Sequence, residues 1–327
     1  MFLLILALES SAHTLGVGIV DNGKIIANSK QMYKITDKGM IPARVADFYA
    51  KNVYKVIKDA LEQANVRLSD LDAIGYTKGP GIGPCLHVGQ LAAKHLGLEL
   101  KLPVYPVNHA IAHIEVTKHL GKLKDPIALY VSGGNSQILG IENTPFKHYH
   151  IYGETFDIGV GNMLDNFARA AKLIPAWGST VAKVAESGNY IDMPYSVKGM
   201  DFTFTGLQTN AVKRIGKEKL EDIAFSLQET AFSMLTEATE RALMLTGKKE
   251  LVLSGGVAQS KRLKEMLELM SKSHKIKFYD ADNQFNADNC AMIALVAEKM
   301  YNSDLKINKN ELNIDQKYKI DKVKILW

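Results

Sequence analysis

The chain reads as a duplicated α/β protein whose two similar subdomains face one cleft, and two pairs of matching segments carry that expectation. ILALESSAHTLGVGIVDNGKIIA near the start matches IALYVSGGNSQILGIEN from Ile127. Each is an apolar strand, a tight turn of small hydroxyl and glycine residues, and a second alternating strand. LDAIGYTKGPGIGPCLHVGQLAAKHL likewise matches KELVLSGGVAQSKRLKEMLELM. Each of these runs strand, glycine turn, amphipathic helix. A length of 327 residues accommodates two ordinary domains or one large duplicated fold.

Taken in order, the first element is the apolar run MFLLILAL. It lacks the basic start and the small-residue cleavage site of a signal peptide and is cut short by Glu9, so it reads as a buried strand. The helix ADFYAKNVYKVIKDALEQA follows, with apolar Phe48, Val53, Val56, Ile57, Ala60 and Leu61. That stripe is wider than a single core contact needs, which leaves core packing and a partner surface both open. GPGIGP next lacks the lysine of a P-loop, and Pro84 holds the last position of the G-x-G-x-x-G spacing, so neither nucleotide motif is present.

A short apolar run, LPVYPV, then leads into VNHAIAHIE, where His109 and His113 are four residues apart at a strand-to-helix junction. Residues at i and i+4 share one helical face, so both imidazoles can reach a single metal ion. The zinc-protease motif H-E-x-x-H has the same spacing but needs a glutamate after its first histidine. Ala110 stands there. The spacing is kept and the proteolytic chemistry is not.

In the second half, the turn Ser132–Asn135 and the turn Gly255–Val257 occupy equivalent places in the two repeats' pattern. Turns without bulky side chains let backbone N–H groups donate directly to phosphate oxygens. SGGN is therefore a candidate to embrace a phosphate. GGV, read as opening a helix, is a candidate for the adenosine end, with help from the helix dipole.

Composition sets outer limits. At 46% hydrophobic and 23% charged the chain is an ordinary globular protein, and no stretch approaches the ~18 apolar residues of a membrane span. We expect it in the cytosol. Cys85 and Cys290 stand far apart and form no CxxC pair, which argues against a disulfide framework or a thiolate zinc site. A formal charge of +5 is compatible with a nucleic-acid partner without requiring one. The clusters Lys51, Lys55 and Lys58; Lys213, Arg214, Lys217 and Lys219; and Lys261, Arg262 and Lys264 read as solvated faces or as RNA contacts.

Eight segments now stand in order: ESSAHTLGVGIV, VNHAIAHIE, YVSGGNSQ, GETFDIGVGNMLDNFARA, KGMDFTFTGL, QETAFSMLTEATERA, LSGGV and ADNCAMIA. Together they closely resemble the universal tRNA threonylcarbamoyladenosine synthase family, from about residue 4 to the terminal KVKILW. KGMDFTFTGL and QETAFSMLTE resemble its archaeal and eukaryal branch. The resemblance implies an actin-like ATPase fold, with subdomain I over 1–124 plus about 300–327 and subdomain II over 125–299. It implies one divalent metal per chain, iron ahead of zinc, held by His109, His113 and Asp288 with Tyr130 beside it. Imidazole nitrogens with a carboxylate suit either metal and leave positions open for substrate.

The activity it implies is transfer of the threonylcarbamoyl group from threonylcarbamoyl-AMP to N6 of adenosine 37 in tRNAs reading ANN codons. The nucleotide side then comprises Tyr130, Val131, Ser132, Gly133, Gly134, Asn135, Asp165 towards the ribose, Gly178, Gly255 and Gly256. Glu9 is the catalytic candidate for steering a proton or a water, beside the alternative of a carboxylate satisfied by turn amides. Implied partners are tRNA and the subunits of a KEOPS-type complex. One is a small atypical protein kinase on the subdomain carrying GNMLDNFARA; another is a small dimerising subunit on the N-terminal helices.

The chain departs from the family pattern in places. Trp177 replaces a glycine, Ala182 stands where a glutamate is expected, and Ser260 stands where an asparagine is expected. A glycine-rich, histidine-bearing segment is shortened to KGMIPARVADFYA. Three changes fall on the ribose and adenine side and none on the metal side. A tryptophan there either narrows the pocket or stacks on the base. Two other function classes follow: a metalloprotease, opposed by the missing glutamate, and a non-catalytic nucleotide-binding scaffold.

Overall fold

The computed structural model describes residues 3–34, 40–303 and 305–327. The first two residues of KGMIPARVADFYA lie outside them. The chain divides into two compact units. Unit 1 is Met1–Val116, Glu142–Tyr149 and Asp288–Trp327; unit 2 is Thr117–Ile141 and His150–Ala287. The boundaries expected near 124 and 300 therefore fall earlier, and a short hairpin tip joins unit 1.

Unit 1 is built on β1 (Leu4–Glu9), β2 (Thr14–Asp21), β3 (Lys24–Met32), α1 (Pro42–Ala64), β4 (Ala73–Gly79), α2 (Gly83–Leu100), β5 (Val104–Asn108) and the start of α3 (His109–Leu120). The sheet order is β3-β2-β1-β4-β5. β1 takes up the apolar run from Leu4, is buried at every position of Leu4–Glu9, and pairs antiparallel with β2 and parallel with β4; the run's first two residues lie outside the described ones. A central strand covered on both faces reads as a continuous apolar run rather than an alternating one. On α1, Val56 and Ala60 are fully buried, and Phe48, Val53, Ile57 and Leu61 pack against the same core. The wide stripe is thus used inside unit 1, and Tyr54, 76% exposed, points outward.

Unit 2 repeats the plan with β6 (Ile127–Val131), β7 (Ser136–Glu142) and β8 (His148–Glu154). An insertion of α4 (Val160–Ala170), α5 (Gly178–Ala185), β9 (Val197–Lys198), β10 (Asp201–Phe202), α6 (Thr205–Arg214) and α7 (Leu220–Thr246) follows. The repeat resumes with β11 (Glu250–Ser254), α8 (Lys261–Ser273), β12 (Lys277–Asp280) and the single turn α9 (Asn283–Asn286). Its sheet order, β12-β11-β6-β7-β8, is that of unit 1 under the substitution of the matching strands. β6 runs antiparallel to β7 and parallel to β11, as β1 does to β2 and β4. Two five-stranded sheets of one topology are the duplication read in the sequence.

α10 (Ala291–Asn302) returns to unit 1, buried from Ala291 to Glu298. It is an apolar helix with one destination, the face of the first sheet. Its N-terminus presses on β2 at Gly18, where a Cβ would meet the backbone N of Ala291 at 2.5 Å. Only glycine admits so close an approach. Asn28 Oδ1 accepts the Cys290 N–H at 3.0 Å, and Asn289 Oδ1 accepts the Met292 N–H at 3.0 Å. The return of the chain to unit 1 at Asp288 is seated by these contacts.

Candidate metal centre and nucleotide turns

The histidine pair begins a helix because Asn108 caps it, its Oδ1 accepting the Ile111 N–H at 3.1 Å. That cap makes His109 the first residue of α3 and puts His113 one turn later on the same face. The two rings lie 4.7 Å apart, nearly perpendicular. Asp288, immediately ahead of the docked N-terminus of α10, brings its Oδ1 to 3.5 Å from His109 Nε2 and 3.4 Å from His113 Nε2. One ligand atom from each of the three lies within 4.8 Å of the others. All three are in unit 1, and they are the one such cluster among the described residues.

Charge and burial shape the group. Burial works against the charged form of His109, but the Glu9 carboxylate and its hydrogen bond prevail and raise its pKa to about 9. Burial dominates at His113 and lowers it. Burial opposes ionisation of Asp288 too, but the two imidazoles hold it well below the usual carboxylate range. Two imidazoles and a carboxylate converging from a helix start and a helix approach form a donor set that fits iron or zinc. Ala110, 3% exposed, supplies no carboxylate between the histidines. Glu115, further along α3, is fully buried and committed to the Tyr149 hydroxyl and the Lys299 ammonium.

Glu9, at the end of β1, is fully buried, and its carboxylate meets three donors of the protein. Tyr130 lies on β6 in unit 2, 2% exposed and in register with Ser254.

The turns expected to hold a nucleotide all belong to unit 2. β6 and β11 are adjacent and parallel, so Ser132–Asn135 and Gly255–Gly256 leave neighbouring strands at their carboxyl ends. In open α/β sheets that edge is where ligands bind. Gly255 has φ +100°, and a Cβ on it would meet Val131 O at 2.3 Å, so the two turns touch. Ser132 N–H donates to Asn135 O at 2.8 Å, and Ser132 Oγ accepts the Asn135 N–H at 3.0 Å, which closes the SGGN turn on itself. The start of α4 packs directly on this turn: the Asn162 N–H donates to Gly133 O at 3.0 Å. A Cβ on Gly161 would meet Gly133 Cα at 2.8 Å. Gly134 and Gly256, in contrast, face open space where their Cβ would stand. Their backbones are the ones a ligand can approach.

Asp165 Oδ1 accepts the Gly178 N–H at 2.7 Å and so anchors the start of α5. Burial raises its pKa against that hydrogen bond. Trp177, 51% exposed, immediately precedes Gly178, and Ala182 is half-buried on the same helix. The GGV segment corrects one expectation. It opens a four-residue 3-10 turn, Gly256–Gln259, and α8 begins only at Lys261. A single 3-10 turn has little dipole to offer an anion. Ser260, where an asparagine was expected, is the N-cap of α8, its side chain accepting from the Leu263 N–H.

The sequence did not single out Asn108 and Asn289 as caps, or Gly159 and Gly161 as contact points, where a Cβ would meet Gly133 O at 2.4 Å and Gly133 Cα at 2.8 Å respectively. Each had a signal: an asparagine ahead of an apolar helix, and glycines spaced within IGVGN.

The family profile described as TsaD, tRNA N6-adenosine threonylcarbamoyltransferase, matches residues 23–295. A tRNA N6-adenosine threonylcarbamoyltransferase of Thermococcus sibiricus is 46% identical over 98% of this chain and 99% of its own length. A probable bifunctional tRNA threonylcarbamoyladenosine biosynthesis protein of Thermoplasma volcanium is 43% identical over 99% of this chain, which spans 62% of that longer protein. Among solved structures, component A of the Acidaminococcus fermentans (R)-2-hydroxyglutaryl-CoA dehydratase superposes with a TM-score of 0.53 at 15% identity, covering 90% of this chain and 97% of that one. That likeness concerns the fold, which is actin-like. With a family profile over most of its length and a relative matched end to end, the chain belongs to the tRNA N6-adenosine threonylcarbamoyltransferase family.

Proposed function

We propose that this chain transfers the threonylcarbamoyl group of threonylcarbamoyl-AMP to N6 of adenosine 37 in tRNAs reading ANN codons, as the catalytic subunit of a KEOPS-like complex. The observation that carries the reading is the convergence of His109, His113 and Asp288 in a chain matched end to end by a transferase of that name. The three residues would hold one divalent metal. A bound metal supplies a Lewis acid for the acyl donor and an anchor for its threonyl part.

The protein's own groups account for the rest. The open backbones of Gly134 and Gly256 orient the AMP group and stabilise it as it leaves. Asp165, whose Oδ1 holds the Gly178 N–H, presents its second oxygen to a ribose hydroxyl. The exocyclic amine of adenosine is a weak nucleophile, because its lone pair is delocalised into the ring, so positioning supplies much of the rate.

A KEOPS-like association is supported by the bifunctional name of the longer relatives. We assign a small atypical protein kinase to the unit carrying α4. We assign a small dimerising subunit to α1 and α2, where Tyr54, Leu91 and Leu98 are 76%, 64% and 80% exposed. The protease reading lacks its base: Glu115 is engaged by a tyrosine and a lysine. Among the described residues no helix is long and apolar enough to cross a membrane.

The test is reconstitution of purified chain with complex partners, threonine, bicarbonate, ATP, the synthase that makes the adenylate, and unmodified tRNA. Threonylcarbamoyladenosine should form and should disappear with His109→Ala. A modified product that persists in that variant, or none with the natural chain, overturns the reading.

A further inference from the structure

Glu9 is either the candidate for steering a proton or a water or a carboxylate satisfied by turn amides, and its surroundings suggest a third task. It is the last residue of β1 and fully buried. Its Oε1 accepts the Ser11 N–H at 2.6 Å. Its Oε2 accepts the Thr77 hydroxyl at 2.7 Å and faces His109 Nδ1 at 3.0 Å. Both oxygens are therefore held by the protein, from the β1–β2 turn, from β4 and from α3. Thr77 is itself fully buried, on a strand that pairs with β5. The carboxylate is pinned by rigid elements rather than by a mobile loop.

A carboxylate can only accept a hydrogen bond, so the nitrogen facing it must carry the proton. With a proton committed to Nδ1, the only nitrogen the ring can give to an ion is Nε2, the one that faces Asp288 Oδ1. Resting on the metal reading above, we infer that Glu9, braced by Thr77, is a positioning residue that fixes the tautomer and ring orientation of His109 for metal ligation. Histidine ligands that donate their second N–H to a carboxylate are more basic and better oriented, and loss of that partner weakens metal binding about 10–100-fold. Glutamine cannot serve. If its oxygen faces His109 and Thr77, its amide faces the Ser11 N–H, donor against donor. If it is turned round, its amide faces Nδ1 and selects the opposite tautomer.

The test uses the full chain, stripped of metal and titrated with cobalt(II) against a chromophoric chelator, for the natural protein, Glu9→Gln, Thr77→Val and His109→Ala. Glu9→Gln should raise the cobalt Kd 10–100-fold and change the visible d–d bands, which report ligand geometry. Thr77→Val, close in shape and without the brace, should shift both in the same direction by a smaller factor. Thermal unfolding of the metal-free proteins separates a packing role, which would lower Tm and leave the Kd and spectrum unchanged. Should Glu9→Gln fail to fold, the Thr77→Val shift alone decides. Wild-type affinity and spectrum in both variants, with binding lost in His109→Ala, overturn the positioning role while the metal site stands. Cobalt held equally by His109→Ala overturns the metal reading and the inference with it.

Discussion

Asp157 illustrates what one carboxylate does for this fold. It accepts backbone N–H groups from Ile158 at 2.7 Å, Phe204 at 3.0 Å and Thr205 at 2.8 Å, holding the start of α6 against the loop before α4. Burial pushes its pKa up, but the N–H donors prevail and bring it to about 2. A lowered carboxylate contributes stability that is present above its ordinary value of 3.8 and is lost as pH falls towards 2. Asp157→Asn should therefore lower the urea midpoint at pH 6, with the gap to the natural protein closing near pH 2. A second expectation concerns the nucleotide turns. Two polar contacts absent at Ala182 and Ser260, each ~0.5–1.5 kcal/mol, correspond to an affinity lower by roughly one to two orders of magnitude. Isothermal calorimetry should find AMP or ATP binding only at high micromolar or millimolar concentration. Ala182→Glu with Ser260→Asn should tighten it, and the helix cap should survive, since asparagine caps as well as serine. Submicromolar binding by the natural chain would mean that Trp177 lies flat on the base.

At the scale of elements, the glycines of unit 2 divide by what surrounds them. A methyl at Gly161 would meet backbone of the SGGN turn at 2.8 and 2.9 Å, and backbone cannot swing aside. Gly161→Ala should push α4 away from the turn and lower Tm by several degrees, by scanning calorimetry. Gly134→Ala meets nothing within 4 Å. It should unfold like the natural protein yet bind AMP more weakly, because the methyl covers a backbone the phosphate approaches. Equal Tm losses in both would show that the turn is a structural loop only. The same division explains what was legible in the sequence. The strands β1, β2, β4, β5, β6, β7 and β11, and the helices α1, α2 and α8, could be read from period and turn residues because local sequence decides them. The short 3-10 turn at Gly256–Gln259 could not, since a strand–glycine–helix pattern looks alike whether or not such a turn intervenes. Nor did periodicity reveal where α10 belongs: an all-buried helix carries no stripe to say which sheet it covers.

On the scale of the whole molecule, the metal ligands come from the beginning and the end of one unit: α3 follows the first sheet, and Asp288 arrives with the last return of the chain. Elemental analysis should find about one iron or zinc per chain, and His109→Ala with His113→Ala should remove it with the far-UV spectrum retained. A ligand bound only by the folded state stabilises it, by ~2.7 kcal/mol at a hundred times its Kd. Chelation should therefore speed hydrogen exchange in residues 104–116 and 288–302 and leave 127–136 unchanged; uniform speeding in both units would contradict a local site. The cluster was legible because histidine spacing is local and the resemblance supplied Asp288. The caps Asn108 and Asn289 act locally and went unread, whereas the Asn28 contact that seats Cys290 reaches across the chain and leaves no local mark. The late return of Asp288–Trp327 to unit 1 has a consequence for biosynthesis. A nascent chain leaving the ribosome can pair β1 to β5 early, yet the face that α10 covers stays bare until residues 291–302 have been made. Between the making of the first sheet and the making of Asp288, the polypeptide exposes an apolar sheet face and two imidazoles without their third ligand, so metallation at this site has to wait for the chain's return.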